Sequence, residues 1–334
     1  MGHIRFLFLS QEEIISLNIS WKEIIDRVEL ALKEHGEKSV ENPPKPGVHS
    51  KSNSFIHAMP SYLKKMNTLG LKWVSGYPDN HRFDLPSISG VLILNCPETG
   101  KVLSIMDCRW ITAVRTAAVT AISAKKLAKE NPTNLGIVGA GVQGRMNFAV
   151  LEKYLPSLKT CKIYDIRKES LDSFLDKIGQ KSKIAIKVAA SAEEAVRDSD
   201  IIITCTQKLS KPILKYEWLK EGVLAIPLES SRAWESEALF QMEKFIIDDL
   251  EQGKLYKQGG AFPGGIPKLY AETGEVVAGI KNGRENNQEK IMVMNIGLAC
   301  EDISLGTYIY EKALENGKGI EISLMEKENF PLPM

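Results

Sequence analysis

One hexapeptide constrains this chain more than any other feature: Gly139-Ala140-Gly141-Val142-Gln143-Gly144, directly behind the apolar run Leu135 to Val138 and ahead of a helix-forming stretch. After a strand, the first glycine permits a tight turn, the second lets the backbone approach a pyrophosphate, and the third lets helix and strand pack closely. The pyrophosphate then sits at the positive end of the helix dipole. The spacing also occurs in plain structural turns, so the flanking sequence decides. A carboxylate is required about 20 positions further on, and Asp165, closing Lys162-Ile163-Tyr164-Asp165, meets that requirement. There it is expected to accept hydrogen bonds from the adenosine ribose and repel a 2′-phosphate, favouring NAD(H) over NADP(H). Arg167 and Lys168 weaken that exclusion, because either can meet a phosphate. Asp165 is also compatible with capping a helix from Lys168 onward.

The surrounding pattern agrees with the motif. From Asn134 onward, candidate strands (Leu135 to Val138, Lys162 to Tyr164, Ala185 to Val188, Ile201 to Thr204, Val223 to Ile226, Phe245 to Ile247) are separated by helical stretches such as Val142 to Tyr154 and Ser191 to Arg197. Such alternation predicts a parallel doubly wound sheet. The first third reads differently. A short strand, Arg5 to Leu9, precedes a helix from Trp21 to His35, for which Ser20 and Glu23 form a capping box. Asn42 to Leu103 alternates short apolar runs with Pro, Gly and Asn clusters, which predicts one mostly antiparallel sheet. Ile111 to Lys129, rich in alanine, predicts a closely packed helix. Gln288 to Leu314 is expected to form one or two helices, and Phe330 to Met334 to fray. At roughly 100 to 200 residues per domain, 334 residues make two domains.

Composition removes several classes of function. With 43% hydrophobic and 25% charged residues the chain is neither disordered nor collagen-like. Its 43 basic against 42 acidic side chains leave no local cationic surplus for a nucleic acid. No segment reaches the roughly 20 apolar residues of a membrane span, and the start, MGHIRFLFLSQEEII, has no signal-peptide core. Five widely spaced cysteines read as reduced, buried thiols, so a cytoplasmic protein is expected. No metal site is expected: Cys-x-x-Cys and His-Glu-x-x-His are absent, and His49 and His57 have no acidic third ligand nearby. Gly259-Gly260 and Gly264-Gly265 lack the Lys-Ser or Lys-Thr of a phosphate loop and read as a flexible loop.

Two cations outside the dinucleotide segment stand out. Lys72 sits in Leu69-Gly70-Leu71-Lys72-Trp73-Val74, where Leu69, Leu71 and Trp73 share one face. Periodicity leaves two readings open: Lys72 on a solvated face, or on the inner wall of a pocket, where desolvation suits it to proton transfer. Arg115, near the head of the Ala-rich helix, can hold a carboxylate in two parallel hydrogen bonds, or form an ordinary surface ion pair.

With their neighbours these residues carry a resemblance. Gly70-Leu71-Lys72-Trp73, Leu85-Pro86-Ser87, Gly90 to Leu94 with Glu98-Thr99-Gly100, Asp107 and Ala113 to Ala118 precede the fingerprint, and Gly297 to Asp302 follows it. In that order, over most of the chain, they resemble the ornithine cyclodeaminase and mu-crystallin family. Ile203 to Thr206, Tyr216 to Leu219 and Glu301 to Ser304 look most like its N-(2-amino-2-carboxyethyl)-L-glutamate dehydrogenases of siderophore and antibiotic pathways. The resemblance implies an α/β chain: a Rossmann doubly wound parallel sheet over residues 116–303, and an α+β substrate and dimerisation domain over residues 1–115 with 304–334. It further implies a homodimer, an NAD cofactor and a small amino-acid substrate bound between the two domains. Lys72 matches a lysine near the substrate carboxylate and amine, and Arg115 a carboxylate-binding arginine beside the nicotinamide. Ser87, Thr116, Thr206, Leu228 and Asn295 match positions at the cofactor, with Gly139, Gly141, Val142, Gln143, Gly144, Asp165 and Arg167.

The chain departs from that family in three places. Pro43-Pro44-Lys45 stands where cyclodeaminases carry an arginine, so Lys45 or His49 must replace one carboxylate contact. His57 occupies a substrate-facing position that is glutamate in the cyclodeaminase. The catalytic aspartate beyond the fifth strand is missing, and the nearest acid is Glu229. These changes argue against ornithine. The expected activity is oxidation of an N-substituted amino acid, N-(2-amino-2-carboxyethyl)-L-glutamate, to 2,3-diaminopropionate and 2-oxoglutarate, with Lys72 or Glu229 as proton relay. A cyclodeaminase, a ketimine reductase on another small amino acid, and a non-enzymatic nicotinamide-dependent binding protein are the alternatives.

Overall fold

Strands buried at every residue must be covered on both faces, and the second half of this chain has four of them among its described residues. The computed structural model describes residues 3–207 and 209–326; the Phe330 to Met334 end expected to fray lies outside them. Seven strands precede the glycine fingerprint: β1 (Ile4–Leu9), β2 (Val40–Glu41), β3 (Gly47–Val48), β4 (Phe55–Leu63), β5 (Thr68–Gly76), β6 (Ile88–Asn95) and β7 (Val102–Asp107). Then come β8 (Asn134–Val138), β9 (Thr160–Tyr164), β10 (Ala185–Val188), β11 (Ile201–Thr204), β12 (Leu224–Pro227), β13 (Lys244–Ile247), β14 (Ala271–Glu272), β15 (Ile291–Met294) and β16 (Ile320–Met325).

The chain divides into two compact units. One takes in the described residues within 1–23, 39–112 and 299–334; the other takes 24–38 and 113–298. These limits run a few residues from those drawn on sequence, except for residues 24–38. The distal part of the helix Trp21–Gly36 packs in the second unit, where a Cβ on Gly36 would lie 2.0 Å from the carbonyl oxygen of Gly274. An amphipathic stripe tells that a helix is buried, not against what. The capping box at its start forms as expected, with Ser20 N donating to Glu23 Oε2 at 2.8 Å and Glu23 N to Ser20 Oγ at 3.3 Å.

In the first unit the sheet runs β16-β1-β7-β6-β5-β4-β2, with β3 pairing β4. The β4–β7 meander is antiparallel, as its turn-rich sequence predicts, while β1 joins β7 in parallel. The helix Ala299–Glu315 lies on this sheet so closely that a Cβ on Gly306 would fall 2.0 Å from Leu92 Cδ2.

The second unit is a wholly parallel sheet in the order β10-β9-β8-β11-β12-β15-β13-β14. Its first five strands follow the dinucleotide-binding order, with the reversal between β8 and β11. β11, β12, β13 and β15 are buried at every residue, while edge strand β10 is mostly exposed. Two readings of the tail need correction. Ile291 to Met294 is a strand inserted between β12 and β13, not part of a helix; four consecutive buried apolar residues fit either element until pairing partners are known. β16, absent from the expected elements, pairs antiparallel with β1.

Candidate functional site

In the second unit, register puts the motif residues at one edge. Val138 pairs with Tyr164 and Thr204, and Thr204 with Pro227. The segments beginning at Gly139, Asp165, Cys205 and Leu228 therefore all leave the sheet at its carboxyl edge, beside the strand-order reversal, where open α/β sheets bind ligands. The glycines there are sterically required. Gly139 has φ +114°, and a Cβ on it would meet the Cys205 carbonyl oxygen at 2.6 Å; one on Gly144 would meet the Gly139 oxygen at 2.1 Å. Gly141 is different: nothing lies within 4 Å of its Cβ position, and as N-cap of the helix Val142–Tyr154 it offers no side-chain cap. Open space at an uncapped helix N-terminus fits a pyrophosphate. Val142, first in that helix, is exposed, and Gln143 accepts two hydrogen bonds from the Asn147 amide.

Asp165 braces this turn. Its Oδ2 accepts from Ala140 N at 2.8 Å and its Oδ1 from Arg167 N at 2.9 Å. The following helix starts at Lys168 with Arg167, not Asp165, as its cap. Of the cations that could greet a phosphate, Lys168 is tied to both oxygens of Asp172, and Arg167 lies 3.9 Å from Asp165.

Further along the same edge, Glu229 Oε1 accepts the Thr204 hydroxyl at 2.7 Å, while its Oε2 is buried without a partner, as is Thr206 Oγ1. Burial pushes the Glu229 carboxyl up to about 7, against the pull of the Thr204 hydroxyl and nearby backbone amides. Leu228 N donates to the Thr204 carbonyl and holds the loop in place. Arg115 and Thr116 are buried in the helix Arg109–Leu127. The Arg115 guanidinium packs against Gly297, which has φ +96° and no room for a Cβ (Nη1 would be 2.4 Å away), and Gly297 N donates to the Asp248 carboxylate. Asn295 is committed to bracing: its amide donates to Ser123 Oγ at 3.1 Å and accepts from Thr273 Oγ1 at 3.1 Å.

In the first unit, β5 settles the open question about Lys72. Thr68, Gly70, Lys72, Val74 and Gly76 form the buried face; Trp73, on the other, is 43% exposed. Lys72 is 1% exposed, and its Nζ donates to Asp302 Oδ2, on the helix Ala299–Glu315, at 2.5 Å. Periodicity misled because the helix covers the lysine face rather than the leucine face. Met59 pairs with Lys72 and His57 with Val74, so His57 shares the lysine's face. Burial first, then the charges of Lys45, His49 and Lys72, depress His57 to about 3, which keeps its imidazole neutral. Phe55 stacks on that ring at 4.2 Å between centroids. Lys45 is buried; His49 is exposed and bonded through Nδ1 to the Ser54 carbonyl at 2.8 Å. Cys108, near the pair, has a thiol pushed up to about 12 by burial. Ser87 is exposed just ahead of β6, its carbonyl accepting from Tyr77 N.

Each unit thus gathers its own share of the expected residues: Lys45, His49, His57, Lys72 and Ser87 in the first, and Arg115, Thr116, the fingerprint, Asp165, Thr206, Leu228, Glu229 and Asn295 in the second. Sequence reasoning missed Asp302 as the partner of Lys72. The signal was there in Ala299-Cys300-Glu301-Asp302-Ile303, two acids inside a run of small and apolar residues. It also missed Thr204 and Trp234, which look like ordinary core residues. Among the described residues no group of three or more His, Cys, Asp or Glu could hold a metal, and no helix is long and apolar enough to cross a membrane.

One unit with a parallel sheet carrying the glycine turn at its reversal, and another with a buried lysine, define a two-unit α/β protein of the dinucleotide-binding class. Within that class the chain belongs to the ornithine cyclodeaminase/mu-crystallin family, whose sequence model matches residues 6–317. It is similar to a Δ1-pyrroline-2-carboxylate reductase from Thermococcus litoralis, solved with NADH and L-proline: 35% identity, TM-score 0.86, covering 94% of this chain and 99% of that one. An archaeal alanine dehydrogenase dimer with bound NAD shows 32% identity and a TM-score of 0.85, covering 96% of this chain and 100% of that one. The N-((2S)-2-amino-2-carboxyethyl)-L-glutamate dehydrogenase of Staphylococcus aureus is 30% identical, covering 95% of this chain and 98% of its own.

Proposed function

We propose that this chain is an NAD(H)-dependent oxidoreductase acting at the C–N bond of a small amino acid, and that its substrate is N-(2-amino-2-carboxyethyl)-L-glutamate. The observation that carries the reading is Lys72, buried on the same sheet face as a neutral His57, within the electrostatic reach of Lys45 and His49. Such a set suits a substrate rich in carboxylates, and its buried ion pair with Asp302 keeps the lysine ordered. The open Gly141 at an uncapped helix N-terminus supports the cofactor, held by residues 139–144 with Asp165 toward the ribose. When bound, the nicotinamide supplies a two-electron acceptor for the hydride of the substrate Cα.

The chain's own groups do the rest. Arg115 clamps a carboxylate and fixes the Cα–H bond, which is catalysis by position. The amine must lose a proton as the C–N bond becomes an imine, and Glu229 or Lys72 accepts it. A Glu229 carboxyl raised to about 7 is matched to that task near neutral pH. Water then adds to the imine, and C–N cleavage releases 2,3-diaminopropionate and 2-oxoglutarate. A homodimer is proposed on the likeness to the archaeal alanine dehydrogenase dimer.

A second reading, reduction of a small imino acid, is favoured by the likeness to the pyrroline-2-carboxylate reductase. One panel separates them: NAD+ with N-(2-amino-2-carboxyethyl)-L-glutamate, ornithine, lysine and alanine, and NADH with Δ1-pyrroline-2-carboxylate, with products identified by mass. NADH and 2-oxoglutarate from the first compound alone are expected. Turnover of pyrroline-2-carboxylate alone moves the assignment to the second reading, and cyclisation of ornithine to proline rejects the first. Tight NADH binding with no turnover at all favours a non-enzymatic binding protein.

A further inference from the structure

The Glu229 carboxyl is held by a hydrogen-bond chain with only one possible direction. Trp234, fully buried in the core of the second unit, donates its indole Nε1–H to Thr204 Oγ1 at 3.1 Å. An indole nitrogen donates and cannot accept. The Thr204 oxygen is therefore the acceptor from one side, and its own hydroxyl proton turns to the other, onto Glu229 Oε1 at 2.7 Å. Thr204 is itself completely buried at the last position of β11, so no water competes for its proton.

This fixes the roles of the two carboxyl oxygens. Oε1 always faces a donor, so a proton placed there would oppose the Thr204 proton. Oε2 is buried and has no hydrogen-bond partner, so it takes the proton when the group is neutral. We propose that Thr204 and Trp234 are positioning residues that orient Glu229 so that Oε2 exchanges the proton of the reaction. The proposal rests on the reading of Glu229 as an acid-base group. Titratable neighbours do not supply this direction. Cys205, on the loop after β11, has a thiol driven upward by burial and by the nearby charges of Glu229 and Asp165, which keeps it neutral, and Arg232 is forked onto the carbonyls of Gly259 and Gly260.

The test needs a readout that does not depend on knowing the substrate. Infrared pH titration of the full chain, with E229Q subtracted, isolates the C=O stretch of protonated Glu229. In T204V that band should move to higher frequency, because its carbonyl Oε1 loses a donor, and its midpoint should rise by about one pH unit. T204S should restore both. W234F keeps Thr204 but frees its hydroxyl to turn, so it should shift the midpoint the same way by less; it decides the matter if T204V does not fold. With N-(2-amino-2-carboxyethyl)-L-glutamate and Δ1-pyrroline-2-carboxylate as probes, the kcat limb assigned to Glu229 should move with the midpoint. Band and midpoint unchanged in both T204V and W234F overturn the positioning role and leave Glu229 standing. Undiminished turnover by E229Q overturns Glu229 itself.

Discussion

The dinucleotide turn and the lysine-bearing sheet are assembled by opposite means. At the turn, three glycines within six consecutive residues do the work by lacking side chains: a Cβ on Gly144 would lie 2.1 Å from the Gly139 oxygen, and one on Gly139 would lie 2.6 Å from the Cys205 oxygen. On the sheet, Lys72 acquires its environment from Asp302, 230 residues away, once a helix covers the strand. A site made of backbone needs little more than its own sequence and one strand. A site made of buried charges needs the whole unit folded, since a buried ion left without its partner costs several kcal/mol.

The comparison breaks most visibly at Lys72. Lys72→Ala should lower turnover by about 10³-fold or more while NADH binding changes little. It should also cost the first unit about 3 kcal/mol, because Asp302 stays buried without its lysine counter-ion. Pairing Lys72→Met with Asp302→Leu should restore the unfolding midpoint but not turnover. A single variant that keeps activity removes Lys72 from the mechanism.

Gly144→Ala is the matching change at the turn. The added methyl must push the helix Val142–Tyr154 off Gly139, a strain of about 1–3 kcal/mol, so NADH affinity should fall by about tenfold or more. Fluorescence titration with NADH reads this directly, and unaltered affinity would show that the turn tolerates what its geometry forbids.

The smallest effects concern pH, and the two regions should differ in sign. His57 is depressed from 6.5 to about 3. Between those values the unfolded chain binds a proton the folded chain refuses, so stability falls as pH drops from 6.5 toward 3. Glu229 is raised from 4.5 to about 7. Its stabilising share is complete below pH 4.5 and is lost as pH rises through 7. Each slope is at most about 1.4 kcal/mol per pH unit. Urea midpoints measured across pH should flatten on the acid side in His57→Gln and on the neutral side in Glu229→Gln. Identical profiles in the two variants would remove the contrast.

How much was legible beforehand follows the same division. The strands Ala185 to Val188 and Ile201 to Thr204, the helix Val142–Tyr154 and the capping box at Ser20 were readable because propensity, the alternation of strands with helices and local hydrogen bonds agreed within a few residues. Ile291 to Met294 was misread as helix, because an apolar run of four has no period that separates a strand from a helix, and its place between β12 and β13 is a matter of pairing. At the site, the fingerprint and Asp165 stood out from spacing alone. Asp302, Thr204 and Trp234 did not, since a buried threonine and tryptophan have no sequence signature until their hydrogen bonds are drawn.

By itself, then, the sequence determined a parallel dinucleotide-binding sheet, the glycine turn at its carboxyl edge and an antiparallel meander ahead of it. These follow from steric and periodic rules that act over a few residues. Only the tertiary structure decided that Lys72 faces a buried acid, that His57 stays neutral beside it and that Glu229 has one oxygen bonded and one bare. Those are facts about charge in a low-dielectric interior, where the state of a group is set by whatever the fold places against it.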